Sequence, residues 1–251
     1  MFEDMNSNIE RRIFNEKTII YLLNIMILVP LLFMQVTPMQ AMDVWGSPYT
    51  ETDNRNSEYT DEQQRVLDNI PELEKQYLEY GLQAPVNGDI KGNSTRSAIG
   101  AWSWRDGVIC VTTEGLGTDT VNTWHAAIVA PQDTECVAEA PKPGQTVRLR
   151  YGIWYSDRYT IWQVGVNSTT VDQDWNAGFW AGDQVGAPYN LNFWDARQTN
   201  SFYCSQLVWA AYYYTCGVDL NKSDNDVLGA IAIHPGEFVE NDNTTIIFRN
   251  R

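Results

Sequence analysis

The sequence predicts an α+β fold, an antiparallel sheet with a buried helix laid against it and a helical extension in front. Short β-branched segments recur between Val108 and Val166, and turn-rich stretches such as Glu114 to Asp119 and Pro141 to Gly144 separate them. A nearly all-apolar helical segment, Ser205 to Thr215, follows. Strands grouped first and a buried helix later do not alternate as parallel βαβ units do. The composition agrees: 251 residues, 43% hydrophobic and 12% aromatic, suit one core of ordinary size plus extensions.

The first element is a leader at residues 1–42. Arg11, Arg12 and Lys17 precede an apolar run from Thr18 to Met34, and Pro38-Met39-Gln40-Ala41 closes it. A basic start, an apolar middle and a small final residue are the pattern of a secretory signal peptide. Met39 is large for its place before the cut, so an uncleaved membrane anchor through residues 18–34 is the competing reading, although the run is slightly shorter than a spanning helix needs. No Cys stands directly after the run, which argues against a lipoprotein anchor. The expected location is therefore outside the cell, wall-associated or membrane-held.

Residues 43–97 read as a linker and a helical extension. Asp43 to Tyr59 is rich in Asn, Asp, Ser and Thr, the composition of a solvated connection. Thr60 and Gln63 then form a capping-box pair. Val66, Ile70, Leu73, Tyr77 and Tyr80 follow in steps of three and four, which is one apolar helical face, and Gly81 is the expected stop. Pro71 either kinks this helix or splits it. Ala84 to Thr95 reads as loop.

From residue 98 to 251 the pattern is that of the main domain. Val108 to Thr112, Ala126 to Ala130, Val147 to Tyr155 and Tyr159 to Val166 are β-like, Val171 to Ala181 can be helical, and Ser205 to Thr215 is the buried helix ending at Gly217. Ile231-Ala232-Ile233 reads as a short apolar strand before His234 and Pro235.

Charge narrows the partners. The net charge is -15, and residues 1–42 hold only four acids and three bases, so the acidity belongs to the body. A chain this acidic lacks the cations that bind a phosphate backbone, which argues against nucleic acid.

The four Cys and two His carry the chemistry. Cys204 and Cys216 bracket the buried helix, about 18 Å apart at helical rise, too far for a disulfide. Cys110 and Cys136 lie near strands flanking His125 and can bridge only if register allows. Cys216 reads as a small buried hydrophobe. Cys204 opens the helix, where unpaired N–H groups and the dipole favour a thiolate and can hold an oxyanion. On position alone a structural Cys is the commoner case. His125 sits in the small-residue strand His125-Ala126-Ala127-Ile128-Val129; His234, before a Pro, reads as structural. No spacing of His and Cys suggests a metal, and no cofactor motif is present.

These residues resemble a known family. Gly186-Ala187-Pro188-Tyr189, then Cys204-Ser205-Gln206-Leu207-Val208 with Tyr212, are similar to the Tyr and Cys motifs of NlpC-type papain-like cell-wall hydrolases. Asp106 to Cys110, His125 to Val129 and Val137-Ala138-Glu139-Ala140 resemble that family's His-bearing strands. His before Cys resembles its circularly permuted branch, related to lecithin–retinol acyltransferase-like enzymes. The resemblance covers roughly residues 98–240. It implies a papain-like fold in permuted order, with Cys204 as nucleophile and His125 as base. Glu139 stands where relatives have His, Asn or Gln as the third group, a tolerable change because a carboxylate can fix the imidazole tautomer; Asp133 and Glu135 are nearby rivals. Tyr189 resembles the Tyr that faces the reacting carbonyl, or it is a plain core aromatic.

Function follows from that resemblance and from the leader: an exported cysteine hydrolase cleaving an amide through a thioester, with a peptidoglycan stem peptide as substrate. An apolar groove would favour a lipid or N-acyl amide hydrolase or an acyltransferase instead. A non-catalytic wall-binding protein is the third reading, suggested by ten Trp, though Trp154, Trp162 and Trp209 sit in apolar surroundings typical of core packing.

Overall fold

The computed structural model describes residues 60–92, 100–115, 123–152, 159–222 and 232–251. The leader at 1–42 and the linker at 43–59 lie outside the described residues. The helices are α1 (Asp61–Gln83), α2 (Val171–Asp183) and α3 (Cys204–Cys216), with a short 3-10 turn at Pro235–Phe238. The strands are β1 (Ile109–Thr112), β2 (His125–Val129), β3 (Cys136–Glu139), β4 (Arg148–Tyr151), β5 (Ile161–Val166) and β6 (Thr244–Arg249). All neighbouring pairs are antiparallel, in the order β4-β3-β2-β1-β5-β6. The α+β fold with strands ahead of the buried helix is the one the sequence predicts.

Period-two alternation splits the sheet into two apolar faces. Ile109, Val111, Ala126, Ile128 and Ala138 point into the main core, where α3 brings Leu207, Val208 and Tyr212 and α2 brings Ala177 and Ala181. Each large side chain buried there contributes roughly 1.5–3 kcal/mol. Cys110, Ala127, Val129 and Val137 face the other way, against Trp102 and Trp104. Nine of the thirteen α3 residues are buried, which is why its sequence shows no polar stripe. Gly217 closes α3 in the left-handed conformation, at φ 67°, and its N–H returns to Tyr213 O.

Helix α1 packs on the same core through Tyr77, which is buried, with Leu73 and Leu78 beside it. The Thr60–Gln63 capping box forms at 3.0 and 3.1 Å. Pro71 neither breaks nor divides the helix, which runs its full 23 residues. Nor does Gly81 end it. A Cβ at Gly81 would lie 2.9 Å from the Trp162 ring and 2.8 Å from Val239, so this glycine permits a close approach rather than a stop. Its carbonyl accepts from Trp162 Nε1 and from Arg249 Nη1.

One further expectation needs correction, one strand was not expected, and the open question of a disulfide is answered. The segment before Pro235 is not a strand: Ser205 Oγ donates to Ile233 O and Ile233 N–H donates to Tyr203 Oη, so side chains satisfy a backbone that a ladder would otherwise have paired. Strand β6 was invisible in the sequence because only Ile246 and Ile247 of its six residues are buried. All four Cys are free. Cys110 and Cys136 lie on strands separated by β2 and face opposite sides of the sheet, which rules out a bridge.

Candidate active site

The first turn of α3 abuts the start of β2. Tyr203 precedes the helix in extended conformation, and its N–H donates to Gln206 Oε1 at 3.2 Å. Gln206 is fully buried and fully used: Oε1 also accepts from Asn190 Nδ2, and Nε2 donates to Ala196 O and Gln198 O. That one side chain fastens the 190–198 loop to the helix start. Hydrogen bonds between Pro188 or Asn190 and Phe202 then hold Tyr189 beside Cys204.

Cys204 is 6% exposed. Its thiol contacts the His125 side chain, and the Ala126 N–H donates to it. Burial pushes the thiol up, but His125, the Ala126 N–H and the Ser205 hydroxyl outweigh it and bring Cys204 below the ordinary thiol range. For His125 burial works downward, and the contacts with Cys204 and Glu139 overcome it, raising the ring to about 9. The contact thus favours the thiolate and imidazolium form of the pair over the neutral one. As first residue of α3, Cys204 also carries a backbone N–H that the helix does not use.

His125 Nε2 meets Glu139 Oε2 at 2.9 Å, which leaves Nδ1 for the thiol. Glu139 is fully buried, and β3 delivers it to His125 across the sheet. Burial raises its carboxyl, but His125, Arg148 and Arg150 together lower it by more, and the net shift is downward. The rivals stand elsewhere. Asp133 and Glu135 are exposed on the β2–β3 turn, far along the hairpin from His125, and Asp133 accepts from Tyr151 Oη at 3.2 Å. Tyr189 lines the cleft with Cys204, and burial together with the neighbouring thiolate keeps its hydroxyl protonated.

His234 has the structural role read for it. Its Nδ1 accepts the Gly236 N–H at 3.0 Å, its ring stacks on Tyr77 at 5.3 Å, and Nε2 lies 3.2 Å from Glu74. Glu74 also accepts the Trp124 N–H, tying α1 to the residue before His125.

Sequence reasoning did not find Arg148, Gln206 or the cleft-facing side of α1. Arg148 and Arg150, two residues apart after the Glu139 strand, were the available signal, but it needed the β3–β4 register to be read. The cleft before Cys204 is walled by Val66, Leu67, Ile70 and Leu73 of α1 on one side and by Phe193 and Trp194 on the other. Its ionisable side chains, apart from the thiol and the tyrosines, are Glu237 and His234.

The sequence pattern of a family described as permuted papain-like amidase enzymes, YaeF/YiiX, C92 family, matches residues 112–246, more than half of the chain. The chain belongs to this family. The family's description, permuted papain-like amidases, is that of the cysteine peptidase and amidase class expected from the sequence. The four residues Cys204, His125, Glu139 and Tyr189 all fall within the matched span. The uncharacterized protein YycO of Bacillus subtilis (strain 168) is 30% identical over 94 residues, 36% of this chain and 35% of its own, so the chain matches about a third of that relative's length. Among solved structures, the metalloprotein yiiX from Escherichia coli O157:H7 is 14% identical with a TM-score of 0.44, over 59% of this chain and 99% of its own. Among the described residues of this chain, no group of three or more His, Cys, Asp or Glu is arranged to hold a metal ion.

Proposed function

We propose that the chain hydrolyses an amide through a thioester on Cys204, with His125 as proton carrier and Glu139 as its orienting partner. The observation that carries this is the buried line from the thiol at the α3 N-terminus through His125 to Glu139. The proton already favours His125 over Cys204, so the thiolate attacks the carbonyl carbon directly. The Cys204 N–H and the Tyr189 hydroxyl face the developing oxyanion. The imidazolium then protonates the leaving nitrogen as the C–N bond breaks. His125, now neutral, takes a proton from water, whose oxygen attacks the thioester and releases the acid and the thiolate.

The cleft lining supports an amide with an apolar acyl part. Val66, Leu67, Ile70 and Leu73 offer no charge to a stem peptide's free carboxylates. A peptidoglycan stem peptide is the second reading, supported by the signal-like leader and the resemblance to wall hydrolases; it carries export and a wall location with it. Membrane association through residues 18–34 suits the first reading equally.

Wild-type protein and Cys204→Ala are incubated in parallel with a series of N-acyl amides of increasing chain length and with purified peptidoglycan, and products are read by mass spectrometry. Thiol-dependent release of fatty acid, rising with chain length, is expected. Soluble wall fragments from wild type alone would replace the acyl reading by the peptide one, and equal product from the Cys204→Ala protein would overturn the thioester scheme.

A further inference from the structure

We propose that Arg148 is a positioning residue of the active site: its guanidinium, carried on edge strand β4, holds the buried Glu139 carboxylate ionised and aimed at His125. The inference rests on the reading of Cys204 and His125 as the reacting pair.

The geometry is specific. Arg148 Nε lies 2.8 Å and Nη2 2.7 Å from Glu139 Oε1, while Oε2 is left for His125 Nε2 at 2.9 Å. The two oxygens are thus divided between a permanent cation and the imidazole. Arg150 adds a second cation 3.8 Å from Oε2. The pairing follows from register, because Glu139 stands directly opposite Arg148 across the β3–β4 ladder. Glu139 is fully buried although half of the Arg148 side chain is exposed, so the carboxylate's charge compensation reaches in from the surface.

The turnover cycle shows why His125 alone is insufficient. When the imidazolium gives its proton to the leaving nitrogen, Glu139 faces a neutral ring. A buried carboxylate with no remaining cation would take up a proton and donate it to Nε2. With that O–H facing Nε2, the ring's one hydrogen would be displaced to Nδ1 by exchange with solvent, the wrong tautomer to accept a proton from water. Arg148, charged at every step, prevents that uptake. The charged and titratable groups around Glu139 are His125 on β2, Arg148 and Arg150 on β4, Cys110 on β1 and, through His125, Cys204 on α3. Cys110 is pushed up to about 12 by burial and stays neutral.

The test is the pH dependence of Cys204 alkylation by iodoacetamide, located by peptide mass spectrometry, in wild type, Arg148→Ala and Arg148→Lys. The assay needs no substrate, and thermal melting checks each fold. We expect the acid limb of the Arg148→Ala profile to move upward by about one pH unit or more, the size of losing a close opposite charge. Arg148→Lys should return most of the way to wild type, because a cation remains beside the carboxylate. A reactive Cys204 whose acid limb does not move in Arg148→Ala overturns the inference alone, as does a limb displaced equally in the Lys variant. A wild-type Cys204 that reacts no faster than Cys216 overturns the nucleophile assignment and this inference with it.

Discussion

His125 Nε2 and Glu139 Oε2 meet at 2.9 Å with both side chains at most 1% exposed, a proton-handling pair sealed from water inside a sheet. A carboxylate there fixes the ring with Nδ1 toward the thiol and steadies the imidazolium. Changing Glu139→Gln keeps the shape and an acceptor oxygen but removes the charge. We expect turnover to fall by about 10²–10⁴-fold, the upper end being that of a triad losing its carboxylate. Steady-state kinetics on an amide substrate checks this, and a change of under threefold would remove Glu139 from the machinery.

The same carboxylate makes stability depend on acid. Its folded value lies below the ordinary 4.5, so the ionised form favours the folded state. That contribution is complete above about 4.5 and is lost as pH falls through the folded value. Urea unfolding of wild type between pH 6 and pH 3 should therefore show a steeper loss on the acid side than Glu139→Gln, whose amide does not titrate. Parallel curves for the two proteins would contradict the pairing.

Thiol reactivity separates the cysteines. Cys204 is lowered from its ordinary value by His125 and local N–H donation, whereas Cys110 is raised to about 12 by burial. At pH 6–7 iodoacetamide should label Cys204 within the folded protein and leave Cys110 untouched until unfolding. Replacing His125 by Ala removes the group that lowers the thiol, and labelling at this pH should drop by at least tenfold. Quantitative peptide mass spectrometry reads both outcomes.

A second buried charge cluster holds the scaffold. Arg105 Nε lies 2.9 Å from Asp89, while Asp174 also receives Lys91 at 2.9 Å and the Tyr212 hydroxyl at 3.3 Å. Arg105 Nη1 lies 2.5 Å from the same Asp174 carboxylate. The cluster ties the 89–92 turn, α2 and α3 together. Arg105→Met leaves buried carboxylates short of a cation and should cost about 3–5 kcal/mol in chemical denaturation, since removing one partner strands the others. A loss below about 1 kcal/mol would mean water replaces the guanidinium.

How much of this was legible before the structure depends on which physical rule carried each part. Thr60, Gln63 and the three–four spacing on α1 fix a helix locally, and the nearly all-apolar α3 announces its own burial. Cys204 at a helix start and His125 on a small-residue strand were readable because chemistry restricts where such residues are useful. Glu139 was only a candidate, because its burial is a property of the β3–β4 register, which no local pattern encodes. Arg148 was missed for the same reason. Pro71 and Gly81 misled as helix breakers, since packing of Tyr77 and Trp162 overrides local preference. Strand β6 carries too few buried residues to stand out from its Asn-rich flanks.

The order of strands and helix has a consequence during synthesis. Trp124, next to His125, precedes Cys204 by 80 residues, and at about 5–20 residues per second the ribosome takes roughly 4–16 s to cover that gap. By the end of that interval the nascent chain holds the base and strands β1 to β5 but no nucleophile. Without Cys204 it lacks the thiol on which the proposed thioester would form. Its cost falls on solubility: until α3 emerges, Ile109, Val111, Ala126 and Ile128 present an open apolar surface. Chains cut short before Cys204 should therefore be both silent and aggregation-prone, and those that finish switch on only when the last helix docks.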